Sequence, residues 1–122
     1  MTKELNANTF DEFIQSADKP VIVDFWAPWC APCRAFAPTF EAASETRSDI
    51  IFAKVNTEEQ QEIAAAFSIR SIPTLMIFRD QIIIYSEAGS LPANAFDQLI
   101  EQAMALDMDT VRAEIAGQTG TA

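Results

Sequence analysis

Cys30 and Cys33 are the only thiols in this sequence of 122 residues, and just Ala31 and Pro32 separate them. Two thiols at this spacing can interconvert between dithiol and disulfide, hold half of a metal site, form a structural disulfide, or lie buried and inert. A metal would need two further ligands, and the chain has no other cysteine and no histidine. A disulfide closing so short a loop removes little chain entropy. Redox exchange is the interpretation we favour, with the other three still open.

The order of strand and helix around the two cysteines predicts a different role for each. A buried strand, "PVIVDFWA", ends just before Cys30, and a helical pattern runs from there to about Thr46. Cys33 falls one turn further along the same face, and Pro32 suits the first turn because its missing amide would have no partner there. Free amides at a helix start favour negative charge. We therefore predict that Cys30 is the attacking thiolate and that Cys33 resolves the mixed disulfide.

Outside this segment, the apolar pattern predicts alternating helices and strands. Thr57 is the predicted cap of one helix, "TEEQQEIAAAFSI", and Pro38 should kink the helix that holds the cysteines. Two late strands, "PTLMIFRD" and "QIIIYSEAG", are close enough for an antiparallel hairpin. The order strand, helix, strand, helix, hairpin, helix predicts an α/β layered domain. After it, residues 107–122 predict a short helix followed by a flexible tail.

Composition excludes several classes of function. The net charge is −10, and the eight Lys and Arg residues are scattered, which argues against nucleic-acid binding. Without histidine, Ser-His-Asp and Cys-His catalysis are absent. No apolar run approaches the ~20 residues of a membrane helix. The polar start, "MTKELNANTF", lacks the apolar core of a signal peptide, so we expect a cytoplasmic protein with no membrane partner.

Several motifs together resemble those of the thioredoxin family. They are "VDFWAPWCAPC", a proline five residues after Cys33, "AKVN", "SIPTL" and a late "EAG", in the family's order and spacing from about Phe10 to Leu106. The resemblance implies a central mixed five-stranded sheet flanked by four helices over residues 1–106, with 107–122 as a C-terminal extension. It also implies a monomer with no bound cofactor, in which a redox-active Cys30–Cys33 disulfide reduces client proteins. Electrons would come from an NADPH-dependent flavin-containing thioredoxin reductase.

The resemblance assigns roles to three further residues. Asp24 matches the family's buried aspartate behind the resolving cysteine, and desolvation within "VIVDFW" should raise the pKa of its carboxyl so that it can exchange a proton with Cys33. The alternative is an aspartate that is simply bonded to backbone. Lys54 in "AKVN" matches the lysine beside this acid, or it extends to water. Pro73 in "SIPTL" matches the family's cis-proline facing the dithiol.

The resemblance also predicts an apolar collar around Cys30, where an extended client segment would pair with the backbone of Ile72. Trp29 could instead belong to the core. Ala31 departs from the family, which usually has glycine there. The predicted collar residues are Trp29, Ala31, Pro32, Ile72, Gly89 and Ser90.

Two functions from different classes fit these residues. The first is a protein-disulfide reductase that acts through Cys30 and Cys33. The second is a binding or chaperone module that uses the same collar, with redox turnover incidental. The intact cysteine pair, together with Asp24 and Pro73, favours the reductase, since binding alone needs no proton exchange.

Overall fold

The computed structural model describes residues 1–120, which form five strands and five helices. The strands are β1 (Lys3–Glu4), β2 (Val21–Trp26), β3 (Ile51–Asn56), β4 (Thr74–Arg79) and β5 (Ile82–Ala88). The helices are α1 (Phe10–Ser16), α2 (Ala31–Thr46), α3 (Gln61–Ala66), α4 (Ala93–Ala105) and α5 (Met108–Gly120). Within this part of the chain, no helix is both long and apolar enough to cross a membrane.

The strands form one mixed five-stranded sheet, as predicted, and their order in it is β1-β3-β2-β4-β5. β1 and β2 both run parallel to β3, whereas β4 is antiparallel to β2 and to β5. The pattern of apolar residues did not reveal β1, because its two residues, Lys3 and Glu4, are both polar and exposed. The short strand nevertheless extends the sheet to five strands and places Glu4 beside β3.

Alternating residues of β2 divide the core between the two faces of the sheet. Val23 and Phe25 pack in a cluster that includes residues of α1 and α3. Ile22 packs in the other cluster, with Phe36 of α2 and Phe96 of α4. β2 therefore has helices packed on both of its faces, which explains why it is apolar along nearly its whole length. The one acid of β2 lies on the face covered by α2 and α4.

The predicted cap of the third helix is wrong. α3 begins at Gln61 with Gln60 at its N-cap position, and no side chain caps it. Thr57 instead donates its amide (2.8 Å) and its hydroxyl (3.0 Å) to the carbonyl oxygen of Trp26. It thereby ties the turn after β3 to the end of β2, just before the cysteine loop.

The C-terminal extension also differs from its prediction. A single helix, α5, continues to Gly120 where a short helix and a flexible tail were predicted, and residues 121–122 of that tail lie outside the described residues. Met108 is buried, and Arg112 forms ion pairs with Asp80 in the β4–β5 turn and with Asp109. The Arg112–Asp80 ion pair fastens α5 to the hairpin, and the burial of Met108 holds its first turn, so the helix does not depend on a strong apolar pattern.

Arg79 at the end of β4 is expected to stabilise the end of α4. We expect Arg79→Ala to lower the free energy of unfolding by about 1–3 kcal/mol, because it removes charge-assisted hydrogen bonds to carbonyls left free at a helix end. Urea denaturation would measure the loss, with Arg70→Ala as an exposed control that changes it by less than about 0.5 kcal/mol. Equal effects of the two substitutions would contradict this role. The Nη1 of Arg79 donates to the carbonyl oxygens of Ala103 (3.0 Å), Met104 (3.3 Å) and Leu106 (2.7 Å).

Candidate functional site

The two cysteines lie at the start of α2, and Cys30 is its N-cap residue. They are bonded as a disulfide, with their Cα atoms 5.2 Å apart. The Sγ atom of Cys30 accepts a hydrogen bond from the backbone amide of Cys33 at 3.2 Å. An amide of the first turn thus points at the sulfur of Cys30, as the sequence predicted for the thiolate-prone member. Only 5% of Cys30 and 2% of Cys33 is exposed.

The loop before Cys30 is tied to the first turns of α2. The amide of Cys30 donates to the carbonyl of Ala27 at 3.2 Å, and the Nη1 of Arg34 donates to the carbonyl of Pro28 at 2.9 Å. The sequence reasoning did not select Arg34, although its position four residues after Cys30 places it one turn along the same helix face. Ala31 takes the first helical position, where the backbone does not require glycine.

Apolar side chains surround the disulfide. Trp26 and Ile72 pack against the cluster formed by Ala27 and the two cysteines. The side chain of Trp29 is 66% exposed, so the interpretation that it belongs to the core is wrong. The exposed residues Ala31 and Pro32 continue this surface along the first turn of α2.

The loop before β4 and the end of β5 meet beside the disulfide. The Ile72–Pro73 bond is cis, as predicted, and the Ile72 carbonyl oxygen lies 3.6 Å from the Sγ of Cys30. Gly89 donates its amide to the Pro73 carbonyl at 2.8 Å, and its φ of +120° favours glycine at this position. Ser90 follows it on the surface. The structure thus brings the predicted residues Ile72, Pro73 and Gly89 together beside the disulfide. Ser90 is placed near them only because it follows Gly89 in the chain.

Asp24 is fully buried on β2, on the same face as Trp26. Neither oxygen of its carboxyl group has a hydrogen-bond partner among the described residues. The interpretation of Asp24 as an aspartate bonded to backbone is therefore wrong. Burial raises the pKa of this carboxyl to about 7, while the positive charge of Lys54 opposes the rise and the negative charge of Glu4 adds to it.

Lys54 is the residue of β3 that pairs with Asp24 across the β2–β3 ladder. It is half-buried, and its Nζ lies 4.6 Å from the centre of the Trp26 ring, within range of a cation–π contact. Among the described residues, it does not form an ion pair within 4.0 Å. The ammonium therefore packs against the indole beside Asp24, at a longer range from the carboxyl than a salt bridge.

The chemistry open to this site is electron exchange between a dithiol and a disulfide. The buried carboxyl of Asp24 lies on the same face of β2 as Trp26, and Trp26 packs against the two cysteines. Among residues 1–120, no group of three or more potential ligands from His, Cys, Asp and Glu is placed to hold a metal ion. The fold and the site define a thiol–disulfide oxidoreductase.

The family model for thioredoxin matches residues 1–102, and the chain belongs to the thioredoxin family. It is 46% identical over 121 residues to a Streptomyces coelicolor protein that carries a thioredoxin name, which covers 99% of this chain and 90% of that protein. It is 41% identical over 100 residues to thioredoxin 1 of a Nostoc species, covering 81% of this chain and 94% of that one. It is 43% identical over 95 residues to thioredoxin 1 of Synechococcus elongatus, covering 74% and 89%.

This membership gives the chain its enzyme class. Thioredoxins are protein-disulfide oxidoreductases that bind no cofactor themselves and act on disulfide-containing targets together with a reductase. The similarity to the Streptomyces protein spans 121 of the 122 residues and so reaches past Asp107. The residues of α5 are therefore part of that similarity.

Proposed function

We propose that this thioredoxin-family protein reduces disulfides in client proteins, with Cys30 as the attacking thiolate and Cys33 as the resolving thiol. The observation that carries the assignment is the hydrogen bond from the Cys33 amide to the Sγ of Cys30, at the start of α2. The same amide stabilises negative charge on Cys30 when the disulfide is reduced. Cys33 lies inside α2, whereas Cys30 is the N-cap residue beside the exposed Trp29 and Ala31, so we assign Cys30 as the sulfur that a client disulfide meets first.

In the first step, the Cys30 thiolate attacks one sulfur of a client disulfide. The client S–S bond breaks, the second client sulfur leaves as a thiolate and takes up a proton from water, and a mixed disulfide forms between the client and Cys30. The carbonyl of Ile72, 3.6 Å from the Sγ of Cys30, lies where an extended client segment can pair with it in the manner of an added strand. Trp29 and its exposed neighbours provide the apolar surface for the client side chains.

In the second step, Cys33 loses its proton to the Asp24 carboxylate and attacks the Sγ of Cys30. The mixed disulfide breaks, the Cys30–Cys33 disulfide forms, and the remaining client sulfur leaves as a thiolate. Two electrons have then passed to the client. A carboxyl whose pKa is about 7 suits this exchange, because it is close to half ionised at neutral pH. Lys54, beside Asp24, stabilises the ionised carboxyl.

We further propose that an NADPH-dependent flavoprotein reductase returns two electrons to the disulfide, and that the protein acts as a monomer in the cytoplasm. The net charge of −10 supports a monomer, because copies of the chain with the same charge repel one another. The family also serves other compartments, since one relative that is 39% identical is named as a chloroplastic thioredoxin of Arabidopsis thaliana.

The redox potential of the Cys30–Cys33 pair tests the direction of the reaction. A potential above that of the cytosolic glutathione pool would argue for an oxidase or isomerase in place of a reductase.

A disulfide reduction assay tests this proposal. Dithiothreitol should reduce a protein disulfide many times faster when catalytic amounts of this protein are present, because the dithiol relays electrons through Cys30. Turbidity of the reduced client, or alkylation of its thiols, gives the rate. No acceleration at any client concentration would contradict the reductase proposal and favour the binding module, which would still retain the client on its apolar surface.

A further inference from the structure

Three charged residues lie side by side across three neighbouring strands. In the sheet, Glu4 of β1 pairs with Lys54 of β3, and Lys54 pairs with Asp24 of β2. Paired residues of parallel strands project to the same face, and Leu5 packs on the opposite face with Val23. The side chains of Glu4, Lys54 and Asp24 therefore form one row beneath α2, with acids at both ends and the lysine between them.

Exposure rises steadily along this row. Asp24 is fully buried, Lys54 is half-buried and Glu4 is exposed at the edge of the sheet. The backbone holds the outer end in place, since the amide of Leu5 donates to the Lys54 carbonyl at 2.9 Å. The ammonium-bearing Lys54 therefore lies between the buried Asp24, whose carboxyl has no hydrogen-bond partner among the described residues, and the exposed Glu4.

Trp26 lies against the same row. Its indole N–H is buried and forms no hydrogen bond among the described residues, but it lies close enough to Glu4 to lower the pKa of that carboxyl. The Nζ of Lys54 lies over the indole ring, 4.6 Å from its centre. The ammonium of Lys54 and the indole N–H of Trp26 both favour the ionised form of the Glu4 carboxyl.

We propose that Glu4 is a positioning residue for the proton exchange of the active site. By competing for Lys54 and adding a second negative charge to the row, it holds the proton on Asp24. This inference rests on the proposed role of Asp24 in resolving the mixed disulfide. The charged groups that face the row are Asp24 on β2, Lys54 on β3, Glu4 on β1 and Glu59 in the turn before α3.

Both actions of Glu4 have the same sign. Its charge repels an ionised Asp24, and its hold on Lys54 weakens the attraction that would ionise Asp24. Burial raises the pKa of the Glu4 carboxyl above its ordinary value, while Lys54 and Trp26 oppose the rise and Glu59 adds slightly to it. A unit charge two strand spacings away, in a partly screened site, shifts a pKa by about one unit.

Titration of the Asp24 carboxyl by NMR tests the inference on the oxidised protein, in which the cysteines are bonded and do not titrate. Glu4→Gln should lower the pKa of Asp24 by about one unit. Glu58→Gln is the matched control, because Glu58 is exposed in the turn after β3 and is not among the charges that shift Asp24 or Glu4. The pKa of Asp24 should stay unchanged in this control. No shift in Glu4→Gln, or an equal shift in both variants, would overturn the inference.

The part assigned to Lys54 has its own test. In a Lys54→Met background, the shift in the pKa of Asp24 caused by Glu4→Gln should shrink, since only direct repulsion between the two carboxylates remains. A shift of unchanged size would overturn the part assigned to Lys54.

The pH profile of client reduction separates the inference from the proposed function. If the pKa of Asp24 falls and the acid limb of the pH profile moves with it, the inference about Glu4 and the proposed role of Asp24 are both supported. If the pKa falls while the profile stays in place, Glu4 still acts on Asp24, and the proposed role of Asp24 in turnover is wrong.

Discussion

Replacing Cys30 by serine is expected to reduce client-disulfide reduction to the uncatalysed rate, a loss of about a thousandfold or more. A serine hydroxyl does not ionise near neutral pH and cannot form a mixed disulfide. Cys33 is not expected to replace it, because it lies inside α2 and the amide that favours a thiolate at the helix start points at the Sγ of Cys30. The assay is reduction of a protein disulfide by dithiothreitol, followed over time.

Cys33→Ser is the matched comparison for this loss. It also replaces one cysteine sulfur by a hydroxyl oxygen at the start of α2 but leaves the attacking thiolate in place, so the first step should persist while turnover stops. Circular dichroism and urea unfolding of the two variants would show whether both fold equally well. Rapid formation of a mixed disulfide by Cys30→Ser would contradict the assigned order of attack.

Asp24→Asn is expected to change how stability depends on pH. Burial raises the pKa of the Asp24 carboxyl from 3.8 to about 7, so the native protein holds a proton that the unfolded chain has already lost. Below pH ~4 both states are protonated and the shift costs nothing. As the pH rises towards 7, the native state loses on the order of 4 kcal/mol relative to the unfolded state. The variant has no such proton and should not show this loss.

Urea unfolding of the oxidised proteins at about pH 4 and about pH 8 measures the effect. Between these values, the free energy of unfolding of Asp24→Asn should rise relative to that of the parent by up to about 4 kcal/mol. Exposed carboxyls such as Asp49 and Asp107, whose pKa values are lowered by their hydrogen bonds, contribute equally to both proteins and cancel. A difference that stays constant with pH would show that Asp24 is ionised in the folded protein.

The same substitution separates the proton role of Asp24 from its effect on stability. In single-turnover experiments, the Asp24→Asn variant should form the mixed disulfide at nearly the parent rate and resolve it at least about tenfold more slowly. The amide keeps the size of the side chain but cannot accept the proton of Cys33. Unchanged resolution would contradict the proton exchange, while leaving the order of attack intact.

Residues close together in sequence made much of the site predictable. One continuous segment predicts the strand before the cysteine pair and the helix that starts there, because its apolar pattern changes from that of a buried strand to that of a helix. The buried state of Asp24 follows from its apolar neighbours alone. Pro73 came from the resemblance to thioredoxins, because nothing local to a proline before a strand predicts a cis bond.

Features that depend on contacts between distant segments were not predicted. Glu4 lies on a strand of two polar residues, which gains its place only from pairing with β3. α5 has little apolar periodicity and is held through Met108 and through Arg112, whose partner Asp80 lies 32 residues away. Thr57 has the side chain of a helix cap, but it donates to the Trp26 carbonyl 31 residues earlier. Each of these placements is decided by tertiary partners that the local pattern does not contain.

The most direct test of the central claim is covalent capture of a client by the Cys33→Ser variant. After the reduced variant is mixed with a disulfide-containing client, mass spectrometry of the non-reduced digest should find the client joined to the peptide that contains Cys30. Dithiothreitol should release it, and Cys30→Ser should form no such adduct. If the Cys33→Ser variant forms no adduct while the parent reduces the same client, Cys30 is not the attacking thiol and the proposed mechanism is wrong.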